Sequence, residues 1–471
     1  RSPPLGVQKL PLLSGSRSLV ISFFTIIFPQ TRCNATILEL SMTKLLVRII
    51  HLLRATIRPF VPQTIINYLY HLPKAWLVSR IYGNPGRDLE IISVTGTDGK
   101  TTTSLLIYHL LKSAKKKVAV VSTVEARIGG QRVKTGFHVT APSPWGLQKF
   151  LRKVRSKKFR YVIIEATSHG LDQFRFFPLK PFIAVLTNIT HEHLDYHKTF
   201  DRYLSAKLRL FRHAKHTVVN KDLEIFPMVN ERLSKNLFST YSLNTSSQLR
   251  PTQVKYLVGS TKFTLGNLEY EVPLTGEYNL SNTLAAISVA LIVGISPSVI
   301  RRSLRTFRGI KGRLDEIPNS RGLHLYVDFA HTPNALDSVL KNLASKKRKG
   351  KKLIVVFGAA SQRDIAKRPM MGKIASQYAD QIILTSEDPR SEDPTAIAQE
   401  ILHGIPRKSR GKTTIIPDRQ KAITHALSIA KQGDWVVSCG KGHEESMNLD
   451  GRVETPWSEH QAFAKALKDT A

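Results

Sequence analysis

Apolar runs of strand length recur along the chain from residue 89 onward, and each is followed by a stretch with helical spacing. The first set consists of EIISVTG, KVAVVST, YVIIEAT and FIAVLTN, in that order. Short runs that are apolar throughout are typical of strands buried on both faces of a parallel sheet. We therefore predict an α/β fold whose central domain, residues 89–311, contains a P-loop-type, doubly wound, mostly parallel sheet.

A second set of the same kind begins after Arg313. It consists of LHLYVDFA, KLIVVFG, QIILTSE and DWVVSCG, each followed by helix-like sequence. The basic, glycine-containing stretch RTFRGIKGR precedes this set and is a candidate linker. The pattern predicts a C-terminal, Rossmann-like α/β domain over residues 312–471.

Residues 42–88 show a different pattern, with apolar positions at helical spacing and arginines between them. They predict a short, basic helical N-terminus of one or two amphipathic helices, broken near Pro59 and Pro62. No acidic residue occurs between Glu39 and Asp88. Packing against the next domain and a peripheral membrane contact through residues 43–88 are the two interpretations of this segment.

The chain begins with Arg1, and its first methionine is Met42. We interpret residues 1–41 as a leader that is either non-native or disordered. This stretch contains the apolar run SLVISFFTIIF, which is 11 residues long. Such a run is too short to cross a bilayer and is similar in length to the core of a signal peptide.

The composition is basic, with 70 Lys and Arg against 35 Asp and Glu and a formal net charge of +35. No zinc finger, RNA-binding aromatic strand or basic region with heptads accompanies this charge, so we expect no nucleic-acid partner. A positive surface still attracts polyanionic ligands. The only cysteines, Cys33 and Cys439, are too few for a disulfide framework or a zinc cluster, which favours a cytoplasmic protein.

The strand EIISV leads into the loop TGTDGKTTT, which opens a helix. Glycines in such a loop let backbone N–H groups point at phosphate oxygens, while a lysine adds charge and a hydroxyl reaches Mg²⁺. Two residues separate Gly96 from Gly99, fewer than in the general Walker form, so a structural glycine turn is the alternative. The candidate nucleotide-binding residues of the loop are Gly96, Thr97, Asp98, Gly99, Lys100, Thr101 and Thr102.

This loop resembles the phosphate loop of the Mur ligases and of their folylpolyglutamate synthetase relatives. Further motifs follow in that family's order, namely TSHGLDQFR, LTNITHEHLDYH, YLSAKLRLF, GEYNLSNTLAA, VDFAHTPNAL, DPR and GKGHE. The resemblance extends from about residue 83 to the end of the chain. It implies an enzyme that forms an amide bond through an acyl-phosphate, with ATP as substrate and Mg²⁺ as cofactor. We expect the enzyme to be a monomer.

Glu165 ends a predicted strand at the edge where open α/β sheets bind ligands, and carboxylates suit Mg²⁺. The resemblance implies that Thr101, Glu165 and His193 hold the metal. It also implies that Lys207 is carbamylated by carbon dioxide and becomes an oxygen ligand, whereas an unmodified helical lysine is the alternative. The catalytic residues implied are Lys100, Glu165, His193 and Lys207.

The resemblance implies further nucleotide contacts beyond the phosphate loop. Asn279 and Asn282 match the helix whose amides contact adenine. Arg313, Asp328 and His331 match the hinge and a second nucleotide-facing loop. Taken singly, each is more typical of a helix cap or a turn.

The positions that hold the muramoyl peptide, in members that add the third residue of the peptidoglycan peptide, correspond to Thr140, Thr167, Gln173 and Arg175. Val139 and Ala141 depart from the family, because polar residues are common there. Residues 1–88 contain no pattern like the family's uridine-binding domain. The sequence therefore supports a UDP-MurNAc-dipeptide donor through its peptide and not through its UDP.

The residues matching the amino-acid site are Arg363, Glu387, Asp388, Pro389, Arg390, Gly440 and Glu444. An arginine can grip a carboxylate with two hydrogen bonds, and Glu444 can pair with an ammonium. A diamino acid with a zwitterionic far end would satisfy both. Arg390 favours diaminopimelate over lysine, whereas Asp388 stands where the diaminopimelate-adding subgroup usually has Asn.

Two other functions stay open from the sequence. A related ligase acting on another carboxylate, of the folylpolyglutamate or cyanophycin type, would share the nucleotide site but not the DPR and GKGHE motifs. A third relative, a subunit that amidates lipid-linked precursors, is excluded because it would need four zinc-binding cysteines and this chain has two. The non-enzymatic alternative is a basic nucleotide-binding protein that docks on nucleic acid or membrane through residues 43–88.

Overall fold

The computed structural model describes residues 61–133, 142–190, 192–233, 237–361 and 364–470. Residues 67–471 form one compact unit and residues 1–66 another, of which only the end is described. The α-helices are α1 (Gln63–Ile66), α2 (Leu72–Ile81), α3 (Lys100–Ser113), α4 (Pro144–Ser156), α5 (Ser168–Asp172), α6 (Leu194–His197), α7 (Phe200–Leu208), α8 (Phe226–Leu233), α9 (Glu277–Ile292), α10 (Pro297–Arg305), α11 (Pro333–Ala344), α12 (Lys367–Tyr378), α13 (Pro394–His403), α14 (Arg419–Ile429) and α15 (Glu459–Asp469). A π-helix spans Asn67–His71, and 3₁₀ helices span Pro85–Asp88, Arg209–Phe211 and Arg407–Lys412.

A sheet of eight strands, here called the first sheet, follows the N-terminal helices. Its strands are β1 (Glu90–Thr95), β2 (Val118–Val121), β3 (Ala126–Ile128), β4 (Gln131–Arg132), β5 (Tyr161–Glu165), β6 (Ile183–Leu186), β7 (His216–Asn220) and β8 (Leu237–Tyr241). Their order is β4-β3-β2-β5-β1-β6-β7-β8. Neighbours from β2 to β8 are parallel, whereas β3 and β4 add an antiparallel edge. The mostly parallel sheet expected from the apolar runs is confirmed.

The central strand β1 contributes to two cores because its side chains alternate between the faces of the sheet. Ile92 and Val94 pack with helices α3 and α9 on one face. Ile91 packs with α4 and α7 on the other face. Helices on both faces make the sheet doubly wound, and they explain why β1 is apolar nearly throughout.

Two further β-structures follow along the chain. Strands β9 (Thr252–Tyr256), β10 (Thr261–Leu265) and β11 (Leu268–Val272) form a small antiparallel sheet that the sequence analysis did not predict. The second sheet contains β12 (Asp315–Ile317), β13 (His324–Asp328), β14 (Leu353–Phe357), β15 (Gln381–Leu384), β16 (Thr413–Ile415) and β17 (Trp435–Cys439). Its order is β12-β13-β17-β14-β15-β16, parallel except for β12. A hairpin of β18 (Ser446–Asn448) and β19 (Glu454–Pro456) precedes α15.

The predicted linker joins α10 to β12 and crosses close to the GKGHE motif. Gly312 has a φ of +70°, and a Cβ there would lie 2.3 Å from the backbone N of His443. Only glycine fits this crossing, since both the backbone conformation and the space exclude a side chain. The linker therefore brings residue 313 to the site described below.

The described part of the predicted N-terminal helices, residues 63–81, is helical, while the predicted leader and residues 42–60 lie outside the described residues. Helix α2 packs against α4. Tyr82 and Trp145 meet edge to face at 6.2 Å, and Arg155 donates to the carbonyl of Gly83 at 3.3 Å. Among the described residues, no helix is both long and apolar enough to cross a bilayer.

Candidate active site

The loop between β1 and α3 has the backbone geometry of an anion-binding turn. Gly99 precedes α3 with a φ of +77°. A Cβ on Gly99 would lie 2.2 Å from Oδ1 of Asn282, and one on Gly96 would lie 1.9 Å from Oγ1 of Thr187. The loop thus needs glycine at both positions, and it places the N-terminus of a 14-residue helix toward an incoming anion.

Hydrogen bonds from the neighbouring strands fix the same loop. The backbone N of Asp98 donates to Oδ1 of Asn188 at 2.7 Å, and Thr187 Oγ1 donates to the carbonyl of Asp98 at 2.7 Å. Thr97 Oγ1 lies 2.7 Å from the hydroxyl of Tyr203. These contacts fix the loop through the protein's own side chains, and a fixed loop is the preorganisation that phosphate binding needs.

Two lysines converge on one carbonyl of the loop. Lys100 Nζ donates to Gly96 O at 3.1 Å and to Thr97 O at 2.6 Å. Lys207 Nζ donates to Gly96 O at 2.5 Å and is only 1% exposed. Burial, and then the nearby Lys100 ammonium, hold the pKa of Lys207 well below its usual range. The site therefore disfavours the ammonium form of Lys207.

Glu165 ends β5 beside the start of α3, as the sequence predicted, and its carboxylate is 2% exposed. Both of its oxygens accept from Thr101 Oγ1 at 3.0 Å. The backbone N and Oγ1 of Thr123 donate to it at 2.9 Å each. Thr123 was not among the predicted site residues, although it is the last residue of the run KVAVVST and therefore lies at the carboxyl end of a predicted parallel strand.

His193 lies beside Glu192 and His169. Its Nε2 is 3.6 Å from Oε2 of Glu192, and the rings of His169 and His193 are 4.8 Å apart. Burial, followed by His169 and Lys207, lowers the pKa of His193 to about 2, which keeps the imidazole neutral. Burial, followed by Asp98, raises the pKa of Glu192 to about 7. The sequence analysis did not single out Glu192.

The donor set suits a nucleotide-bound Mg²⁺ better than a metal held by protein alone. Within the described ranges, no three His, Cys, Asp or Glu side chains converge as a metal cage. Mg²⁺ usually takes one or two carboxylates and completes its shell with waters and phosphate oxygens. Glu165 and the Thr101 hydroxyl supply hard oxygens of this kind, whereas Lys207 as an amine does not.

The two predicted adenine-contacting amides lie on α9, close to the phosphate loop. Asn282 Oδ1 accepts from Thr103 Oγ1 at 3.3 Å, and Asn279 Nδ2 donates to the carbonyl of Thr275 at 3.0 Å. Asn279 also lines a cavity of about 260 Å³ whose wall includes Arg313. Asn282 thus supports Gly99, while Asn279 lies at a space open to a ligand.

Two groups from beyond the linker reach the phosphate loop. Arg313 Nη2 lies 3.5 Å from Thr101 Oγ1, and its guanidinium stacks on Phe329 at 4.4 Å. Asn334 Nδ2 donates to Oδ2 of Asp98 at 2.7 Å. Asn334 belongs to the VDFAHTPNAL motif but was not among the predicted site residues.

Asp328 and His331 are buried in the loop after β13. Asp328 accepts from the backbone N–H groups of Leu314 at 2.6 Å and Ala330 at 2.7 Å. Burial raises the pKa of Asp328, and burial together with Lys367 lowers the pKa of His331. Asp328 therefore fixes the linker and its own loop, so its geometry is that of a positioning residue.

The four residues predicted to hold the muramoyl peptide divide into three cases. Thr167 caps α5, accepting from Gly170 N at 3.2 Å. Gln173 Oε1 accepts from Nε of Arg175 at 2.9 Å and from its Nη2 at 2.7 Å, so these two side chains are brought together. Thr140 lies outside the described residues.

At the carboxyl edge of the second sheet, Glu387 is 6% exposed. Burial raises its pKa above the usual range. Within the described part of the chain, its Oε2 is buried and has no hydrogen-bond partner. A Cβ on Gly440 would lie 2.9 Å from this oxygen, so Gly440 leaves room beside it.

Asp388 is held by a lysine that the sequence analysis had not singled out. Its Oδ1 accepts from Lys441 Nζ and from the backbone N of Asn448, each at 3.0 Å. Lys441 is 1% exposed and lies 2.5 Å from Oε2 of Glu444. The departure from the family's asparagine is thus accompanied by a buried ammonium that balances the added charge.

Arg390 follows Pro389 with a φ of +50°, and its backbone N donates to the carbonyl of Asn448 at 3.1 Å. Its Nε is buried without a hydrogen-bond partner in the described structure. Glu387, Arg390 and Gly440 lie at one edge of the second sheet, because they follow β15 and β17. Arg363 lies outside the described residues.

Comparisons with known proteins give these motifs a family. Residues 94–290 match the Mur ligase middle domain, and residues 312–442 match the Mur ligase, glutamate ligase domain. The UDP-N-acetylmuramoyl-L-alanyl-D-glutamate--2,6-diaminopimelate ligase of Syntrophomonas wolfei is 35% identical, covering 80% of this chain and 78% of the relative. The enzyme of the same name from Aquifex aeolicus is 36% identical, covering 82% and 79%.

Solved structures agree in fold. A ligase of that same name superposes with a TM-score of 0.59 at 31% identity, covering 86% of this chain and 83% of the other. The folylpolyglutamate synthase of Mycobacterium tuberculosis has a TM-score of 0.65 at 17% identity, covering 78% and 92%, which is a likeness of fold alone. The family expected from the phosphate loop is confirmed, and the chain belongs to the Mur ligases, which form amide bonds with ATP.

Proposed function

We propose that this chain joins a diamino acid, meso-diaminopimelate in preference to L-lysine, to the D-glutamate carboxylate of UDP-MurNAc-L-Ala-D-Glu. ATP would be converted to ADP and phosphate, as part of peptidoglycan precursor synthesis in the cytoplasm. The observation that carries the proposal is that a phosphate loop at the carboxyl edge of the first sheet occurs together with a second candidate site at the carboxyl edge of the second sheet. In the described part of the chain, that edge holds two buried polar atoms without a hydrogen-bond partner, Oε2 of Glu387 and Nε of Arg390.

The nucleotide would bind along the first edge. Loop N–H groups, Lys100 and the N-terminus of α3 face its phosphates, and Asn279 lies where the base would enter. Arg313 approaches the same site, with His331 and Asp328 in the loop behind it. Mg²⁺, at Thr101, Glu165 and His193, would offset charge on the γ-phosphate.

Lys207 would act as N6-carboxylysine. Its neutral amine attacks carbon dioxide, a C–N bond forms, and the ammonium proton leaves to solvent, so the product is a carbamate with one negative charge. Burial favours the neutral amine that reacts, and the Lys100 ammonium both disfavours the ammonium form of Lys207 and attracts the carbamate anion. The carbamate supplies the oxygen ligand that the amine lacks.

That modification has a direct test. Protein equilibrated with ¹³C-bicarbonate should show one slowly exchanging carbamate carbon signal by NMR. Lys207→Arg should abolish the signal, while Lys112→Arg, at an exposed position of α3, should keep it. A spectrum identical for wild type and Lys207→Arg would disprove the carbamate.

The chemistry needs position and electrostatics rather than a side-chain nucleophile. The glutamate carboxylate of the donor, held through Thr140, Thr167, Gln173 and Arg175, attacks the γ-phosphate and releases ADP. The acceptor amine then attacks the acyl-phosphate, and phosphate leaves. In the described structure Gln173 and Arg175 already contact one another, which gives the donor one joined surface.

The far end of the acceptor would bind at the second edge. The Oε2 of Glu387 faces its ammonium, next to the space left by Gly440. Arg390, together with Arg363, would grip its carboxylate. Lysine lacks this second carboxylate, which is why diaminopimelate is favoured.

We further propose the division into a nucleotide-binding domain at 89–311 and an amino-acid-binding domain at 312–471, in a monomeric enzyme. Motion between them would bring the amine to the acyl-phosphate. Contacts of Arg313 and Asn334 with the phosphate loop support this arrangement, because they link the two edges.

The deciding experiment is phosphate release by the purified chain with Mg-ATP and UDP-MurNAc-L-Ala-D-Glu. Diaminopimelate, lysine and no amino acid are compared, and the peptide product is identified by mass spectrometry. We expect release that requires both the dipeptide and diaminopimelate. Release with lysine alone would overturn the acceptor assignment, and silence with every acceptor would restrict the function to nucleotide binding.

A further inference from the structure

The N-terminal helices expose an apolar surface, here called the apolar face and formed by Leu69, Tyr70, Trp76, Leu77 and Ile81. Their exposed fractions are 76%, 44%, 48%, 52% and 55%. Residues 69 and 76, and likewise 70 and 77, are seven positions apart, and residues 77 and 81 are four apart. These are helical spacings that put the five side chains on one side of the helices. The opposite side, with Ala75 and Val78, is buried.

Helix α4, against which α2 packs, adds cations beside this face. Residues 144–160 contain no Asp or Glu. Lys149, Arg152 and Lys153 are exposed on α4. Trp145, 44% exposed, lies one turn before Lys149 and touches Tyr82 at the end of α2. Trp145 thus places an exposed aromatic ring and the basic residues of α4 beside the end of α2.

Charge along the neighbouring chain has the same sign. No acidic residue occurs from residue 40 to residue 87, and the chain as a whole carries +35. Within the apolar face region, Arg80 stacks over Trp76 at 5.4 Å and Lys74 lies over the Tyr70 ring at 5.3 Å. Exposed aromatic rings with cations beside them are the composition that binds the interface of an anionic bilayer.

We propose that the apolar face and the adjoining basic surface of α4 dock this enzyme on an anionic phospholipid membrane. Trp76, Leu77 and Ile81 enter the boundary between headgroups and acyl chains, while Lys149, Arg152 and Lys153 face lipid phosphates. The surface includes none of the residues assigned to the nucleotide, the donor or the acceptor, so we expect docking to leave the reaction itself unchanged.

The test is flotation of the full chain with vesicles of phosphatidylcholine alone or mixed with phosphatidylglycerol. We expect flotation with the anionic vesicles and loss of at least tenfold in the partition coefficient for W76E/L77E. The matched control, L449E/V453E, adds the same charge at two other exposed apolar positions and should float as wild type does. Phosphate release in solution should stay unchanged in both variants.

A second variant keeps the proposal falsifiable if W76E/L77E fails to fold, which its thermal melt would reveal. K149Q/R152Q/K153Q should bind anionic vesicles roughly a hundredfold more weakly, since each cation near such a surface is worth about a factor of five. Equal flotation of wild type and both variants would overturn the proposal. So would a concentration-dependent dimer in light scattering that W76E/L77E abolishes, because the face would then be a protein interface.

Discussion

The carboxyl edges of the two sheets form their sites in different ways. At the first edge, the phosphate loop is fixed mainly by backbone atoms and neutral side chains, such as the Asn188 amide on Asp98 N. At the second edge, charged side chains fix one another, with Lys441 between Asp388 and Glu444. The fixing partners are thus mostly neutral at the first edge and charged at the second, and partners far apart in sequence contribute to both.

This difference separates what the family shares from what distinguishes its members. A phosphate loop serves any nucleotide-dependent relative, because backbone N–H groups recognise phosphate regardless of the second substrate. Buried ion pairs are sensitive to every partner, since removal of one charge leaves another unpaired in a poorly solvated place. Changes of acceptor should therefore arise at the second edge, and substitutions at the two edges should fail in different ways.

The largest effect is expected at the first edge. Lys100→Ala removes the charge closest to the loop carbonyls of Gly96 and Thr97, and kcat should fall about a thousandfold. Thermal stability should change little, because the loop is held by other residues. Steady-state phosphate release measures the loss, and Lys112→Ala, exposed on the same helix, should retain full activity.

At the second edge, Lys441→Met should damage folding first. It leaves Asp388 and Glu444 without their shared cation. Because these carboxylates are 21% and 39% exposed, water offsets part of the loss, and the free energy of unfolding should fall by about 2 kcal/mol. Urea denaturation followed by circular dichroism measures this loss. Asp388→Asn in the same chain should recover part of it, and an additive double variant would show that the pair is not coupled.

Arg390→Ala should change substrate use rather than stability. The KM for diaminopimelate should rise roughly thirtyfold while the KM for ATP stays constant, because only the carboxylate contact is lost. The ratio of diaminopimelate to lysine use should fall by a similar factor. Arg452→Ala, exposed in the neighbouring hairpin, serves as the control. A parallel rise in the KM for ATP would contradict a separate acceptor site.

The smallest effect is a pH dependence of acceptor binding. Burial raises the pKa of Glu387, so its carboxyl stays protonated above its usual range. Since an ammonium pairs with the charged form, the KM for the amino acid should fall as pH rises through that raised pKa, by at most about tenfold per pH unit. In the absence of the amino acid, stability has the opposite pH dependence. The protonated carboxyl favours the folded state, so the free energy of unfolding falls as pH rises through the same range. Glu387→Gln should flatten both profiles.

Most of the parallel strands and the phosphate loop could be predicted from sequence because their information is local, although the parallel strands β7, β8 and β16 were not among the predicted runs. An apolar run identifies a buried strand wherever it lies, and a glycine turn before a helix is complete in itself. The small antiparallel sheet β9–β11 was missed, since its residues are partly exposed and lack such runs. Antiparallel β12 has only three residues and was missed too.

The site residues that could not be predicted are those whose contacts join segments far apart in the sequence. Thr123 contacts Glu165, and Asn334 contacts Asp98, only after separate segments meet at a sheet edge. Lys441 was visible within its motif, yet its link to Asp388 depends on the register of β15 and β17 across β14. Burial in three dimensions, which sets the protonation of Lys207 and Glu387, has no counterpart in a linear pattern.

The position of the tryptophans gives the chain two optical reporters. Trp76 and Trp145 are about half exposed on the N-terminal helices and α4, whereas Trp435 is 3% exposed in the second sheet. Emission should contain a red-shifted, quencher-accessible component and a blue-shifted, protected one. In a Trp457→Phe variant, which removes the fourth and partly buried tryptophan, acrylamide quenching would separate the two components, so the N-terminal helices and the second sheet could be followed independently in one unlabelled sample.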